Sequence, residues 1–350
     1  MNIIILGIVV SLSTICSFFC FKFLLHNNNI FQILKKKNVN SERWASQSKP
    51  IFGGIVFYIS FLIAFITALI SIDFHNSTNY YIFALLACVS LSFFMGLLDD
   101  LQNQGPLKKF LVQIICATIL IYCNVYIETS DNIIINYLLT YAWVIGIMNS
   151  INMLDNMDAI TGSVSTIILL SIFSIILFTS QHMLDLLIIG AIIPSLIVYL
   201  FWNWHPSKMY MGDNGSQFLG IILAIYSIQY IWNAPSIIGI NYESFILIGL
   251  SFLLPLIDTT IVFVNRLAKG KSPFIGDKYH TTHNLVYLGF SEKSVARLFI
   301  AISLVTNAIV FYIIACTTIS IHINYYLIFL LFIGIVLVSF YIISQIVKPK

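Results

Sequence analysis

Charged side chains are scarce in this sequence. They make up 9% of its 350 residues, whereas a soluble domain carries about 25%. Hydrophobic residues make up 59%, and the mean hydropathy is +0.95. This balance excludes an ordinary soluble protein and predicts a chain that crosses a membrane several times. The net charge of +3 is too small to indicate a nucleic-acid partner.

Three other signatures are missing. The chain has no glycine-rich Walker loop, which argues against an ATP-driven pump. Its first residues lack the basic region and the cleavage site of a secretory signal, so we expect the first apolar run to be retained as a span. The six cysteines all lie inside apolar runs, and we interpret them as buried small side chains rather than disulfides or a zinc site.

The apolar runs are continuous rather than alternating, which indicates helices and not the strands of a membrane barrel. A helix needs roughly 20 apolar residues to cross the hydrocarbon. We therefore expect an all-α polytopic membrane protein with about eleven transmembrane helices (10–11), built as a single membrane domain over residues 1–350. The expected spans are 3–25, 51–72, 80–98, 110–127, 133–151, 163–181, 184–204, 215–233, 244–264, 298–319 and 324–346.

Basic residues are confined to alternate loops. Of the 17 Lys and Arg, Lys22 lies in the first span and all the others fall in odd-numbered loops or the C-terminal tail, whereas the even-numbered loops carry acidic charges such as Glu128. The positive-inside rule then predicts an N-terminus outside and a C-terminus in the cytoplasm. The candidate chemistry is predicted on cytoplasmic loops near 26–50, 99–109, 149–162, 203–216 and 265–297.

The most unusual polar pattern ends the fifth span. Two carboxamides and two carboxylates recur every three residues, at Asn149, Asn152, Asp155 and Asp158. This spacing keeps neighbouring side chains on one helical surface. Polar groups at a membrane edge are costly unless they bind something, so we interpret this polar ladder as a ligand site. A polar seam between packed helices is the alternative.

Two adjacent carboxylates, Asp99 and Asp100, end the third span, and Lys109 opens the next. Neighbouring carboxylates repel each other and are favourable at a membrane edge only with cations, so metal or phosphate chemistry is one interpretation. A lysine here can neutralise a phosphate. The alternatives are a solvated helix end and a lysine that only sets topology.

A Met-Gly-Asp-Asn-Gly-Ser turn around Asp213 opens the eighth span. The start of a helix offers unpaired N–H groups to an anion, and Asp213 can hold a divalent cation beside it. An ordinary helix cap formed by Asn214 and Ser216 is the alternative. Lys208, just before the turn, is a further candidate for phosphate binding.

The last long polar segment supplies Arg266, His280 and His283. The histidines can bind phosphate or a sugar, and two of them without a Cys or Glu cluster make a weak zinc signal. Asp258, near the middle of the ninth span and close to Pro255, is read as either a structural or a chemical group.

Carboxylates, lysines and histidines on one face predict magnesium-dependent handling of a diphosphate, with manganese as the substitute ion. Magnesium prefers one or two carboxylates plus substrate phosphates, and phosphoryl transfer depends mainly on positioning and charge neutralisation.

These motifs, in this order, resemble the polyprenyl-phosphate N-acetylhexosamine-1-phosphate transferases, a superfamily that contains the peptidoglycan translocase MraY and the WecA-type initiators of surface polysaccharides. The resemblance extends from the Lys-Pro-Ile-Phe-Gly-Gly segment at Lys49 to His283. It includes the paired aspartates, the lysine before Phe-x-x-Gln, the polar ladder, the Met-Gly-Asp turn, and Pro-x-x-Asp with Arg266. The His-Thr-Thr-His segment resembles the WecA type more than MraY.

The resemblance implies transfer of a sugar 1-phosphate, expected to be N-acetylhexosamine 1-phosphate, from a UDP-sugar to undecaprenyl phosphate with release of UMP. It further implies a bacterial cytoplasmic membrane enzyme that begins a cell-surface glycan such as O-antigen; a homodimer is an option for its assembly. The catalytic residues it implies are Asp99, Asp100, Lys109, Asp158 and Asp213. The substrate-binding residues are Asn149, Asn152, Asp155, Lys208, Arg266, His280 and His283, and the expected metal ligands are Asp213, Asp155 and Asn152.

Three positions depart from the family pattern. Asn156 and Ala159 stand where the family usually has glycine, and Thr282 stands where WecA-type members often have histidine. A transporter is the rival interpretation, and it predicts functional charges at mid-bilayer and on both faces.

Overall fold

The computed structural model describes residues 2–26, 49–72, 79–179, 182–234, 241–270, 280–318 and 326–347. Loop segments 27–48 and 271–279, which belong to two of the predicted cytoplasmic loops, lie outside the described residues. Within the described part the chain is helical, and its one extended pairing is an isolated bridge between Ile51 and Tyr210.

Thirteen α-helices follow one another along the described chain. They are α1 (Asn2–His26), α2 (Gly53–Ser71), α3 (Asn79–Gln102), α4 (Pro106–Tyr122), α5 (Ile133–Leu154), α6 (Ile160–Thr179), α7 (Met183–Asn203), α8 (Gly212–Ser227), α9 (Asn241–Ser251), α10 (Leu253–Ala268), α11 (Thr281–Tyr287), α12 (Glu292–Thr318) and α13 (Tyr326–Ile346). A π-helical turn, Ile228–Trp232, continues α8.

The prediction of an all-α polytopic membrane protein is confirmed. Nine helices of the described chain are long and apolar enough to cross a membrane, and α9 with α10 makes a tenth candidate that is bent by 85°. The bend falls just before Pro255, which has no backbone N–H to donate to the preceding turn. The remaining expected span, 110–127, falls on the 17-residue helix α4, but its predicted end is too late because α4 ends at Tyr122.

Helix α8 lies at the centre of the bundle, packed against α3, α5 and α2. Two glycines allow this close packing. A Cβ on Gly96 of α3 would lie 2.3 Å from Asp213 O, and one on Gly54 of α2 would lie 1.9 Å from Asn214 Oδ1. Small residues at a helix crossing let backbones approach closely, so these glycines set the start of α8 against its neighbours.

The two ends of the bundle carry different polar groups. The start of α8, the end of α3 and the end of α5 meet at one end, which holds the predicted site residues. At the other end, the buried Asp185 of α7 accepts hydrogen bonds from Tyr81 (2.7 Å) and from Tyr230 in the π-helical turn. This separation agrees with loops that alternate between two sides.

Candidate active site

The carboxylate of Asp100 holds the first turn of α8. Asp100 Oδ1 accepts from Asp213 N at 3.0 Å, and Asp100 Oδ2 accepts from Asn214 N at 2.9 Å and from Asn214 Nδ2 at 2.5 Å. The helix start is therefore capped from α3, and not by Asn214 and Ser216, the alternative that the sequence left open. A buried carboxylate at this point also complements the positive end of the helix dipole.

Lys109 joins the two other carboxylates of this region. Its Nζ lies 2.6 Å from Asp99 Oδ2 and also forms an ion pair with Asp213 Oδ2. Lys109 reaches them because α4 starts immediately after α3 and folds back against it. Asp99 and Asp213 thus share one lysine, so two carboxylates face a single positive charge when both are ionised.

The polar ladder meets the same region from α5. Asn152 Nδ2 donates to Asp213 Oδ1 at 3.1 Å and to Ser216 Oγ at 2.8 Å. Asn149 exchanges hydrogen bonds with Gln113 of α4, which also donates to Gln217 of α8 at 3.3 Å. Gln113 is the glutamine of the Phe-x-x-Gln motif and is not among the predicted site residues. Its polar side chain inside an apolar run is the sequence signal that it needs a hydrogen-bond partner.

Asp158, four residues beyond the end of α5, binds a different segment. Its carboxylate accepts from Ser207 N at 3.0 Å and from Ser207 Oγ at 2.8 Å, and it lies 3.2 Å from His205 Nδ1. Lys49 Nζ donates to Ser207 Oγ at 3.0 Å and lies over the ring of Tyr210. The Lys208 ammonium group instead lies over the ring of Trp202, 5.3 Å from its centroid.

The histidines are anchored by Asp258. This fully buried carboxylate lies 2.8 Å from His280 Nδ1 and accepts from Thr281 N at 2.8 Å and from Thr281 Oγ1 at 2.7 Å. The rings of His280 and His283 meet edge to face, 5.4 Å apart. Asp258 therefore fixes the start of α11 and orients His280, which is the structural alternative left open by the sequence.

The loop between α5 and α6 connects these groups. Asp155 forms the C-terminal cap of α5, and the backbone oxygen of Asn156 lies 3.4 Å from His283 Nε2. Arg266 is buried two helical turns after Asp258 on α10. Most of the predicted residues thus gather at one end of the bundle, and Lys208 is the exception whose described contact points elsewhere.

The oxygen-rich part of this region suits a magnesium ion. Asp99 Oδ1 is buried and has no hydrogen-bond partner among the described residues. The other carboxylate oxygen of Asp99 pairs with Lys109, which also pairs with Asp213. Magnesium takes hard oxygen ligands and uses only one or two carboxylates beside substrate phosphates, so these residues fit it.

One family model and several curated proteins match this chain. The family model described as "Glycosyl transferase family 4" matches residues 82–231. The chain is 28% identical to a probable undecaprenyl-phosphate N-acetylglucosaminyl 1-phosphate transferase of Bacillus subtilis strain 168, over 57% of this chain and 56% of that protein.

Two other relatives carry related names. A decaprenyl-phosphate N-acetylglucosaminephosphotransferase of Mycolicibacterium smegmatis is 28% identical over 71% of this chain and 67% of its own length. A phospho-N-acetylmuramoyl-pentapeptide-transferase of Streptococcus pneumoniae strain 70585 is 31% identical over 57% and 65%, respectively. The chain spans between about half and two thirds of the length of these curated relatives.

Proposed function

We propose that the chain is a polyprenyl-phosphate N-acetylhexosamine-1-phosphate transferase, as its family-model match and its curated relatives support. It would transfer a sugar 1-phosphate from a UDP-sugar to undecaprenyl phosphate. The products are undecaprenyl-diphosphate-sugar and UMP. The observation that carries this proposal is the network in which Lys109 pairs with Asp99 and Asp213 while Asn152 donates to Asp213. Such a network suits a substrate with two adjacent phosphates and its counterion.

The reaction is a single displacement in this proposal. A phosphate oxygen of the lipid attacks the sugar-proximal phosphorus, a new P–O bond forms, and the bond from that phosphorus to the bridging oxygen breaks so that UMP leaves. Asp99 orients the lipid phosphate, and Lys109 neutralises charge on the reacting phosphates. Asp100 is a positioning residue in this proposal, because its two oxygens accept hydrogen bonds from the backbone N–H groups of Asp213 and Asn214.

Magnesium would be held by Asp213, with Asp155 and Asn152 beside it, and would supply charge neutralisation on the diphosphate. The polar ladder from Asn149 to Asp158 provides hydrogen-bonding groups for the nucleotide. His280 and His283 grip the diphosphate or the sugar, and the contact with Asp258 keeps His280 Nδ1 engaged and its other ring nitrogen available.

The proposed donor is UDP-N-acetylglucosamine, because the His-Thr-Thr-His segment is closer to the WecA type and two relatives carry N-acetylglucosamine in their names. The enzyme would then work at the cytoplasmic face of a bacterial inner membrane and begin a cell-surface glycan. A transporter is less well supported, since the mid-span carboxylate Asp258 is engaged by His280 and Thr281.

The test uses full-length protein in detergent with magnesium, undecaprenyl phosphate and radiolabelled UDP-N-acetylglucosamine, with other UDP-sugars in parallel. We expect labelled lipid and UMP in equal amounts, and loss of both in Asp213→Asn. No product with any UDP-sugar, from protein that binds undecaprenyl phosphate, would refute the transferase assignment.

A further inference from the structure

A second polar cluster begins at Asp158, the last residue of the ladder, and its two other members have no role in the reaction above. It joins Asp158, His205 from the segment between α7 and α8, and Glu292, the first residue of α12. His205 Nδ1 lies 3.2 Å from Asp158 Oδ2 and 2.9 Å from Glu292 Oε2. One ligand atom from each residue lies within 4.8 Å of the other two.

Both carboxylates of the cluster approach the same histidine nitrogen, His205 Nδ1. A single Nδ1 carries at most one proton, so it can donate to only one of the two carboxylates at full strength. Ser207 supplies two neutral donors to Asp158, and Lys49 reaches the cluster through the Ser207 hydroxyl. The side chains of His205 and Glu292 are 34% and 25% exposed, so an ion from solution can reach them.

We propose that Asp158, His205 and Glu292 form a binding site for a transition-metal cation of the zinc class. Two ligand atoms that each lie about 2.0–2.1 Å from one tetrahedral ion are roughly 3.3 Å apart, close to the separations around His205 Nδ1. Three protein ligands leave a fourth position for water, the arrangement of open zinc sites.

The ligand types separate this site from the magnesium region. An imidazole nitrogen favours zinc, copper or nickel, whereas magnesium favours oxygen ligands such as those of Asp99 and Asp213. Within the part of the chain that the structure describes, this trio is also the only set of three His, Cys, Asp or Glu side chains at such spacing. The two ions would therefore occupy different places.

Occupation of the site has a consequence for the reaction, and this consequence rests on the proposed function. An ion here would tie the start of α12 to the loop after α5 and would withdraw Asp158 from the nucleotide. Zinc is therefore expected to inhibit in competition with the UDP-sugar, while magnesium activates.

The test measures metal binding on full-length, chelator-treated protein in detergent, without substrate. Cobalt is the spectroscopic probe and zinc displaces it in calorimetric titration. The variants are His205→Gln and Glu292→Gln, and the matched control is His182→Gln, which removes a two-residue pair with His182 Nδ1 2.9 Å from Asp185 Oδ2. We expect one ion per chain, at least tenfold weaker binding in both test variants, and wild-type affinity in the control.

Absence of cobalt or zinc binding would overturn the proposal, as would equal affinity in the wild type and both test variants. Binding is measured without the transferase assay, so a protein that binds zinc but transfers no sugar phosphate would refute only the proposed function. A transferase whose zinc affinity is insensitive to Glu292→Gln would refute only the metal site.

Discussion

Asn156 Oδ1 accepts a hydrogen bond of 2.5 Å from Thr282 Oγ1. These are two of the three positions at which the sequence departs from the family pattern. They lie in the loop after α5 and in α11, so the two departures contact each other and join the ladder to the histidines. The pairing suggests that each residue compensates for the other.

The hydrogen bond predicts coupled effects of mutation. Asn156→Ala and Thr282→Val should each destabilise the protein by about 1 kcal/mol, and the double variant should cost little more than either one, because the same bond is lost. Thermal melts and the KM for the UDP-sugar would be compared across the four proteins. Additive losses would show that the residues act independently.

The sequence predicted the helices well because crossing a membrane is a local property. Each expected span coincides with a helix or with the bent pair, since a long apolar run needs no partner to be recognised. The ladder spacing holds for Asn149 and Asn152, which both lie on α5, but the helix ends at Leu154, before Asp155 and Asp158.

Contacts between distant segments were harder to predict. The cap of α8 comes from Asp100, 113 residues before Asp213, and no local pattern reports such a pairing. Glu292 is not among the predicted site residues, although its carboxylate lies 2.9 Å from His205 Nδ1. Asp185 was not singled out, because one acid in an apolar run does not reveal that Tyr81 and Tyr230 surround it.

The second prediction concerns backbone strain at Ala159, the third departure. Its φ of 65° lies in the left-handed region, where glycine is favoured, and Asn203 Oδ1 accepts from Ala159 N at 2.8 Å. Ala159→Gly should therefore stabilise the protein by about 1 kcal/mol. The control Ala142→Gly, in the exposed interior of α5, should destabilise by a similar amount. A lower melting temperature for Ala159→Gly would contradict the claim that the backbone at Ala159 is strained.

The third prediction tests the contact between α3 and α8. A methyl group on Gly96 would meet the backbone of Asp213 and Asn214 at 2.3–2.6 Å, so Gly96→Ala must push the start of α8 away. We expect a loss of about 1–3 kcal/mol in stability and a large loss of transferase activity. Gly146→Ala is the control, because a Cβ there meets nothing within 4 Å. Equal behaviour of the two variants would show that α8 tolerates displacement.

The fourth prediction compares the contribution of Lys109 with that of the adjacent Lys108. Lys109→Met leaves Asp99 and Asp213 without their shared cation, so it should destabilise by about 1–3 kcal/mol and abolish most activity. Magnesium should raise the melting temperature of this variant more than that of the wild type, because the carboxylates are then unpaired. Lys108→Met is the control, since Lys108 donates only to the exposed Gln104 among its described contacts, and it should stay within about 0.5 kcal/mol. If magnesium does not change the melting temperature of Lys109→Met, the support for an ion beside Asp213 is lost.

The last prediction concerns pH and the opposite end of the bundle. The hydrogen bond to Asp185 raises the pKa of His182 above its ordinary value, and partial burial opposes this shift. Because the folded pKa is the higher one, protonated His182 stabilises the fold fully below the unfolded pKa of about 6.5. That stabilisation is lost as the pH rises through the folded pKa. Tyr81 and Tyr230 also donate to Asp185, so His182 is one of several partners of this carboxylate. Melting temperatures measured between about pH 6 and 8 should therefore fall for the wild type and change less for His182→Gln, and the effect should be modest because the His182 side chain is 43% exposed. An identical pH slope in both proteins would show that the His182–Asp185 pair contributes no stability.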